Sequence, residues 1–183
     1  MVLSDHNFQS NLKQIVFKTC SRNRAETLGY DDLFANRRVV IFSITNIYTS
    51  SSSDHIKKFN AAYDDFILAG IDNVYAINFT EGVFAPWVAQ RTSNIKGLTD
   101  TDMLFVDQLR QYYGSKKTTL NLAMLWQFIL IINNGVLEII WHNPFKENTP
   151  LEILKNVTYR YRKLTVDVVL DYLKTPAGIA NKL

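Results

Sequence analysis

Four consecutive serines, Ser50 to Ser53, precede Asp54 and His55, and two threonines, Thr45 and Thr49, stand just before them. Hydroxyl, carboxylate and imidazole groups in one stretch are the parts of a Ser-His-Asp hydrolase. In such an enzyme the base touches both the nucleophile and the orienting acid. Neighbours on one helical turn cannot meet that geometry, so the stretch reads as a serine-rich turn leading into a capped helix. The histidines His6, His55 and His142 are too far apart for a metal-ligand spacing. No Gly-rich phosphate loop occurs, and neither a metal nor a cofactor is expected. One cysteine, Cys20, rules out an internal disulfide and a cysteine-rich metal site. Its bland reading is a small half-buried core residue. Its functional reading is a relocated nucleophile or a glutathionylation site, with Arg22 and Arg24 near it in sequence.

The segment Arg37 to Phe79 must position those hydroxyls. Val39 to Ile44 is a β-branched and aromatic run that reads as a buried strand. Ile47 to Ser53 reads as a polar turn, and Ser53 or Asp54 as the N-cap of a helix from His55 to about Ala69. Ile56, Phe59, Ala62, Tyr63, Phe66 and Ile67 recur at helical spacing on one stripe. Gly70 ends that helix, and Val74 to Phe79 is a second strand. Strand, helix and strand make a βαβ unit with parallel pairing. Chemistry in such units gathers beyond the carboxyl end of the first strand, here Thr45 to Ser53.

The flanks add the remaining elements. Met1 to Ser10 is a loose or helical lead-in, Gln14 to Thr19 a strand with Ile15 and Phe17 on one face, and Ser21 to Leu28 a loop. Gly29 to Phe34 is a turn with one helical turn at Tyr30 to Leu33. A helix introduced by Thr80 and Glu81 runs to about Gln90, starting late or kinking at Pro86. Ile95 to Leu98 is a short strand, and Asp100 or Thr101 caps a helix from Asp102 to Tyr113, stopped by Gly114. Trp126 to Asn133 and Val136 to His142 form a hairpin around Asn134-Gly135, a pair that tolerates positive φ. Ser115 to Asn121 and Asn143 to Val157 read as loops, and Thr165 caps a closing helix to Leu173, ended near Pro176 and Gly178. The order fits an α/β, thioredoxin-like fold with a central mixed sheet and helices on both faces, as one domain over residues 1–183.

Composition narrows the partners. The net charge of +3 is too mild to imply nucleic acid. Arg160, Arg162 and Lys163 alternate with Tyr159 and Tyr161, which reads as a solvated face. No run reaches the roughly 18 apolar residues of a membrane helix, and Ser4, Asp5, His6 and Asn7 leave no apolar signal region. A cytoplasmic location is the default expectation, with no membrane partner. Trp87, Trp126 and Trp141 read as core or interface residues.

Asp32-Leu33-Phe34, the basic Arg37-Arg38 and Val39-Val40-Ile41-Phe42 follow one another in a familiar order. Thr45 and Thr49-Ser50-Ser51-Ser52 come next, then His55-Ile56-Lys57-Lys58-Phe59, Ala62-Tyr63-Asp64-Asp65-Phe66, Ala69-Gly70-Ile71-Asp72 and Val74-Tyr75. Phe84-Ala85-Pro86-Trp87 and Asn133-Asn134-Gly135-Val136 continue the series. From about Val16 to His142 the chain resembles the redoxin-type peroxiredoxins, in particular the atypical type-five branch linked to glutathione or thioredoxin.

The resemblance implies a thiol-dependent reduction of peroxides, with four site positions. The family's proline falls on Thr45, its peroxide-orienting threonine on Thr49, its peroxidatic cysteine on Ser52 and its arginine on Gln127. A serine cannot replace the cysteine, because an alcohol has no sulfenic-acid cycle and ionises far above a thiol. The expectation is a lapsed site, with a binding or regulatory role. The alternative is an active thiol peroxidase, either through Cys20 or because the nucleophilic cysteine was replaced by Ser52 in the laboratory. The resemblance further implies a homodimer, with Ile47, Tyr48, Phe84 and Trp87 as interface candidates, and glutathione or thioredoxin as reductant if the protein is active.

Overall fold

A computed structural model of the protein describes residues 5–21, 24–112, 127–142 and 164–180. Gly114, Trp126, the 115–121 and 143–157 loops and the Tyr159–Lys163 cluster lie outside the described residues.

The hydrophobic runs pair into one sheet. In chain order the elements begin α1 (Asp5–Leu12), β1 (Phe17–Ser21), β2 (Arg24–Leu28), α2 (Tyr30–Leu33) and β3 (Arg38–Ser43). They continue with α3 (Ser50–Ala61), α4 (Tyr63–Leu68), β4 (Asn73–Asn78), α5 (Phe84–Ala89), β5 (Lys96–Thr99) and α6 (Leu104–Tyr112). They close with β6 (Phe128–Asn133), β7 (Val136–His142), α7 (Val166–Leu173) and α8 (Pro176–Ala180). The seven strands lie in the order β2-β1-β5-β4-β3-β6-β7. β3, β4 and β5 run parallel, while β1, β2 and β6 enter antiparallel. The carboxyl ends of β3, β4 and β5 therefore share one pole of the sheet, and β6 begins at that pole.

Each central strand alternates between two apolar layers. Val40, Phe42, Val74, Ala76, Ile129 and Ile131 face the layer closed by α3, α4, α5 and α7. Val39, Ile41, Tyr75, Ile77, Leu130 and Ile132 face the layer closed by α1, α2 and α6. This is the expected mixed sheet with helices on both faces. Gly97 allows α5 to lie against β5, since a Cβ there would come within 2.9 Å of Val88. Among the described residues no helix is long and apolar enough to cross a membrane.

Several expectations need correction. The helix after β3 begins at Ser50 rather than His55, and its N-cap is Thr49 rather than Ser53 or Asp54. Serine is a weak helix former in mid-helix, but in the first turn its backbone needs no intrahelical acceptor. The helix also breaks at Ala62 and resumes at Tyr63. The break shifts the phase of the stripe, so Phe66 stays fully buried while Ile67 is 40% exposed. Residues 24–28 form the edge strand β2 rather than a loop. Its exposed Arg24, Ala25 and Thr27 leave Leu28 as the one large apolar residue, so the strand carries little apolar signal and suits a solvent edge. β1 starts at Phe17, later than Gln14, yet Ile15 and Phe17 are buried while Val16 is exposed, as the alternation requires. Met103 adopts φ +54 and falls outside α6, which begins at Leu104. Pro176 opens α8 instead of closing the helical region, as proline is able to do at a first helical position.

The hairpin is as the sequence predicts: Asn134 and Gly135 turn with φ of 48° and 78°.

Candidate functional site

β3 ends at Ser43, and the chain passes through Thr45 into α3. Two side chains hold this passage in place. Asn78, buried at the end of β4, donates from its amide to the Ile44 carbonyl and accepts the Thr80 N–H at 2.7 Å. Ser43 Oγ accepts the Phe128 N–H at 2.9 Å and so fixes the start of β6 beside the loop.

Thr49 organises the helix start. Its Oγ1 accepts the backbone N–H of Ser52 at 3.2 Å, the usual N-cap bond. The same oxygen lies 3.2 Å from the Asn46 carbonyl and 3.0 Å from Ser52 Oγ. A hydroxyl has one proton and two lone pairs, so Thr49 meets both contacts when it donates to the Asn46 carbonyl and accepts from Ser52 Oγ. Ser52 is in the first turn of α3 and is 9% exposed, whereas Ser50 and Ser51 are exposed. No acidic residue occupies this first turn, so the positive end of the helix dipole is not offset locally.

These residues line a cleft of about 690 Å³. Its polar wall carries Thr45, Ser50, Ser51, Ser52 and Gln127, and its apolar wall Ile44, Phe128 and Leu164, with Thr165 and Val166 at the start of α7. The structure thus brings together Thr45, Ser52 and Gln127, with Thr49 bonded to Ser52. Gln127 is exposed at the rim.

The charges at the cleft are few. Lys58 is its cation and Asp54 its anion among the described lining residues. His55 also lines it, but its ring packs edge-on against Phe42 at 5.4 Å and Phe59 at 5.1 Å. Burial lowers the imidazole to about 4, and the Lys58 charge pushes the same way. His55 is therefore neutral near neutral pH and supplies no cation. A site with these groups offers hydroxyl and amide hydrogen bonds plus a helix amino end. Among the described lining residues there is neither a sulfur nor a guanidinium.

Cys20 is not brought to this cleft. It is half-buried on β1, opposite Ala25 of β2, and β5 and β4 intervene between β1 and β3. Three strand spacings of about 4.8 Å put β1 roughly 14 Å from β3. Ile47, Phe84 and Trp87, expected at an interface, are instead 7%, 0% and 9% exposed and belong to the core layer under α3. Their place next to the loop in sequence does not fix which way they face. Tyr48 alone of that set is on the surface, at 83% exposure.

Sequence reasoning missed the other wall of the cleft, Leu164 to Val166, and the bracing roles of Ser43 and Asn78. Asp100, one of the two caps the sequence offers for α6, does cap it: its carboxylate accepts the Phe105 and Val106 N–H groups at 3.3 and 3.1 Å, as far as six residues away. Burial pushes that carboxyl up to about 6, against the pull of those backbone bonds.

No protein-family model matches the chain. In sequence it is similar to a hybrid peroxiredoxin of Haemophilus influenzae, 22% identical over 143 residues, which cover 76% of this chain and 59% of that protein. It is 28% identical over 118 residues to a peroxiredoxin of Rhizobium etli, covering 63% of this chain and 65% of that one. The chain thus spans less than two thirds of the length of these relatives. In structure it is similar to the Plasmodium falciparum antioxidant protein, a 1-Cys peroxiredoxin, with a TM-score of 0.67 at 21% identity over 87% of this chain and 95% of that one. The fold is thioredoxin-like, as in that neighbour, and the proteins this chain resembles in sequence are peroxiredoxins.

Proposed function

We propose that this chain is a peroxiredoxin-like protein of the type-five kind whose site no longer reduces peroxides and which serves by binding or regulation. One observation carries the reading: a hydroxyl, Ser52 Oγ, sits in the first turn of α3 with Thr49 Oγ1 3.0 Å away. In a peroxidase of this kind that atom would be a thiolate sulfur, oriented by the threonine and stabilised by the helix start and an arginine. Reduction of a hydroperoxide takes two electrons from the sulfur, which becomes a sulfenic acid. An alcohol oxygen cannot supply them. Gln127 on the same cleft supports the reading, because an amide brings no positive charge to hold a thiolate.

A homodimer in the cytoplasm is part of the proposal, with exposed Tyr48 as the surviving interface candidate. Hydroperoxide consumption with dithiothreitol as reductant tests the reading. The wild-type chain turns over no peroxide above background. Turnover that disappears in Cys20→Ala overturns the lapsed site and installs Cys20 as nucleophile, with a thiol reductant as partner.

A further inference from the structure

The pole opposite the cleft buries an ion pair. Glu138 is the extra residue of a β-bulge: Ile131 pairs with Ile139 and Ile132 with Leu137, so Glu138 has no strand partner. The insertion turns Ile139 and Trp141, as well as Glu138, toward the layer that α7 covers. Arg38, the first residue of β3, reaches across to it. The Glu138 carboxylate accepts Arg38 Nε at 2.9 Å and also Nη2, and both side chains are 4% exposed. A third donor comes from α7: Tyr172 Oη gives its proton to Glu138 Oε1 at 2.9 Å, and its ring meets Trp141 edge-on at 5.5 Å.

α7 therefore connects the two poles. Its last turn is tied to the buried pair through Tyr172. Its cap and first residue, Thr165 and Val166, line the cleft that holds Ser52. A helix of this length is about 12 Å long and stiff, so a change at one end is carried to the other. Among the described residues the pair is one acceptor short, because Arg38 Nη1 is buried without a partner there. A buried donor left unmet costs free energy, so this network is less stabilising than a saturated one. If the Tyr172 hydroxyl withdraws, the Arg38–Glu138 pair persists and α7 loses this polar tie, while Val169 and Leu173 stay buried in the core layer and let the helix shift without detaching.

We propose that Tyr172 is a positioning residue for the cleft: its hydrogen bond to the Glu138–Arg38 pair sets where α7 lies and hence how open the cleft is at residue 52. This inference does not depend on whether the site is lapsed or active.

The test uses residue 52 as a reporter. In a chain carrying Cys20→Ser and Ser52→Cys, the only thiol is at the cleft, and its alkylation rate with iodoacetamide reads the opening. Adding Tyr172→Phe deletes one oxygen and keeps the ring. The expected result is a roughly fivefold faster alkylation at residue 52, the factor that corresponds to a lost hydrogen bond of about 1 kcal/mol. Alkylation of Cys20 in the wild-type chain with Tyr172→Phe stays unchanged. An unchanged rate at residue 52 overturns the proposal. So does a parallel rise at both cysteines, which marks general loosening rather than movement of α7.

Discussion

The two ends of β3 carry opposite chemistry. Its amino end places Arg38 in a buried, bidentate pair with Glu138, joined by Tyr172. Its carboxyl end leads into a cleft of hydroxyls and one amide, where the imidazole is neutral and Lys58 is the cation among the described lining residues. The fold thus buries the Arg38 guanidinium where it braces sheet against helix, and the described residues lining the cleft at the other pole include none. The geometry that would present a nucleophile, a capped helix start beyond a buried strand, is separable from the charge that would activate it. On the proposed reading, the first has been kept and the second is gone.

The comparison breaks most sharply at the charged pole. Glu138→Ala leaves Arg38 buried and unpaired, and the expected loss is about 3–5 kcal/mol in a urea unfolding experiment. Replacing both members together, Arg38→Met with Glu138→Leu, is expected to cost far less, because the penalty comes from the orphaned charge. Equal losses in the two variants would mean that the pole is held by packing instead.

Acid sharpens the comparison at the other pole. His55 titrates in the fold near 4, below its ordinary value of 6.5, so the stability it contributes is present above about pH 6.5 and is lost as pH falls through 4. Asp100 titrates near 6, above its ordinary value of 3.8, so its contribution is present below pH 3.8 and is lost as pH rises through 6. The two slopes oppose each other over nearly the same window. Unfolding free energy in the wild type is therefore nearly flat from pH 4 to 6.5 on account of these two groups. His55→Phe unmasks a curve that rises toward acid, and Asp100→Asn one that falls toward acid, each by at most about 3 kcal/mol. Identical pH curves for all three chains would contradict the burial assigned to both groups.

How much of this was legible depends on the reach of each signal. The β3 and β4 runs, the Asn134-Gly135 turn and Gly70 (φ 88) are local, and the sequence alone places them. The start of α3 was not legible, because serine favours a cap and a first turn equally, and only the Thr49 to Ser52 bond decides between them. The edge strand β2 escaped because Leu28 is its only large apolar residue. Ile47, Phe84 and Trp87 lie near the site loop in sequence, but their facing is set by the layer they pack into. The Arg38–Glu138 pair spans 100 residues and depends on a bulge, so neither residue type hints at it. At the cleft, the positions of Thr45, Ser52 and Gln127 could be read by resemblance, while the wall supplied by α7 could not.

The most direct measurement is the oxidation of Ser52→Cys by stoichiometric hydroperoxide, followed by mass spectrometry and stopped-flow. If the helix start still suits a sulfur nucleophile, that thiol forms a sulfenic acid about tenfold faster at pH 7 than Cys20 in the same chain, as a pKa lowered by about one unit from 8.5 allows. Adding Gln127→Arg speeds it further. A residue 52 thiol that oxidises no faster than Cys20, with or without the arginine, contradicts the claim that the presenting geometry has survived.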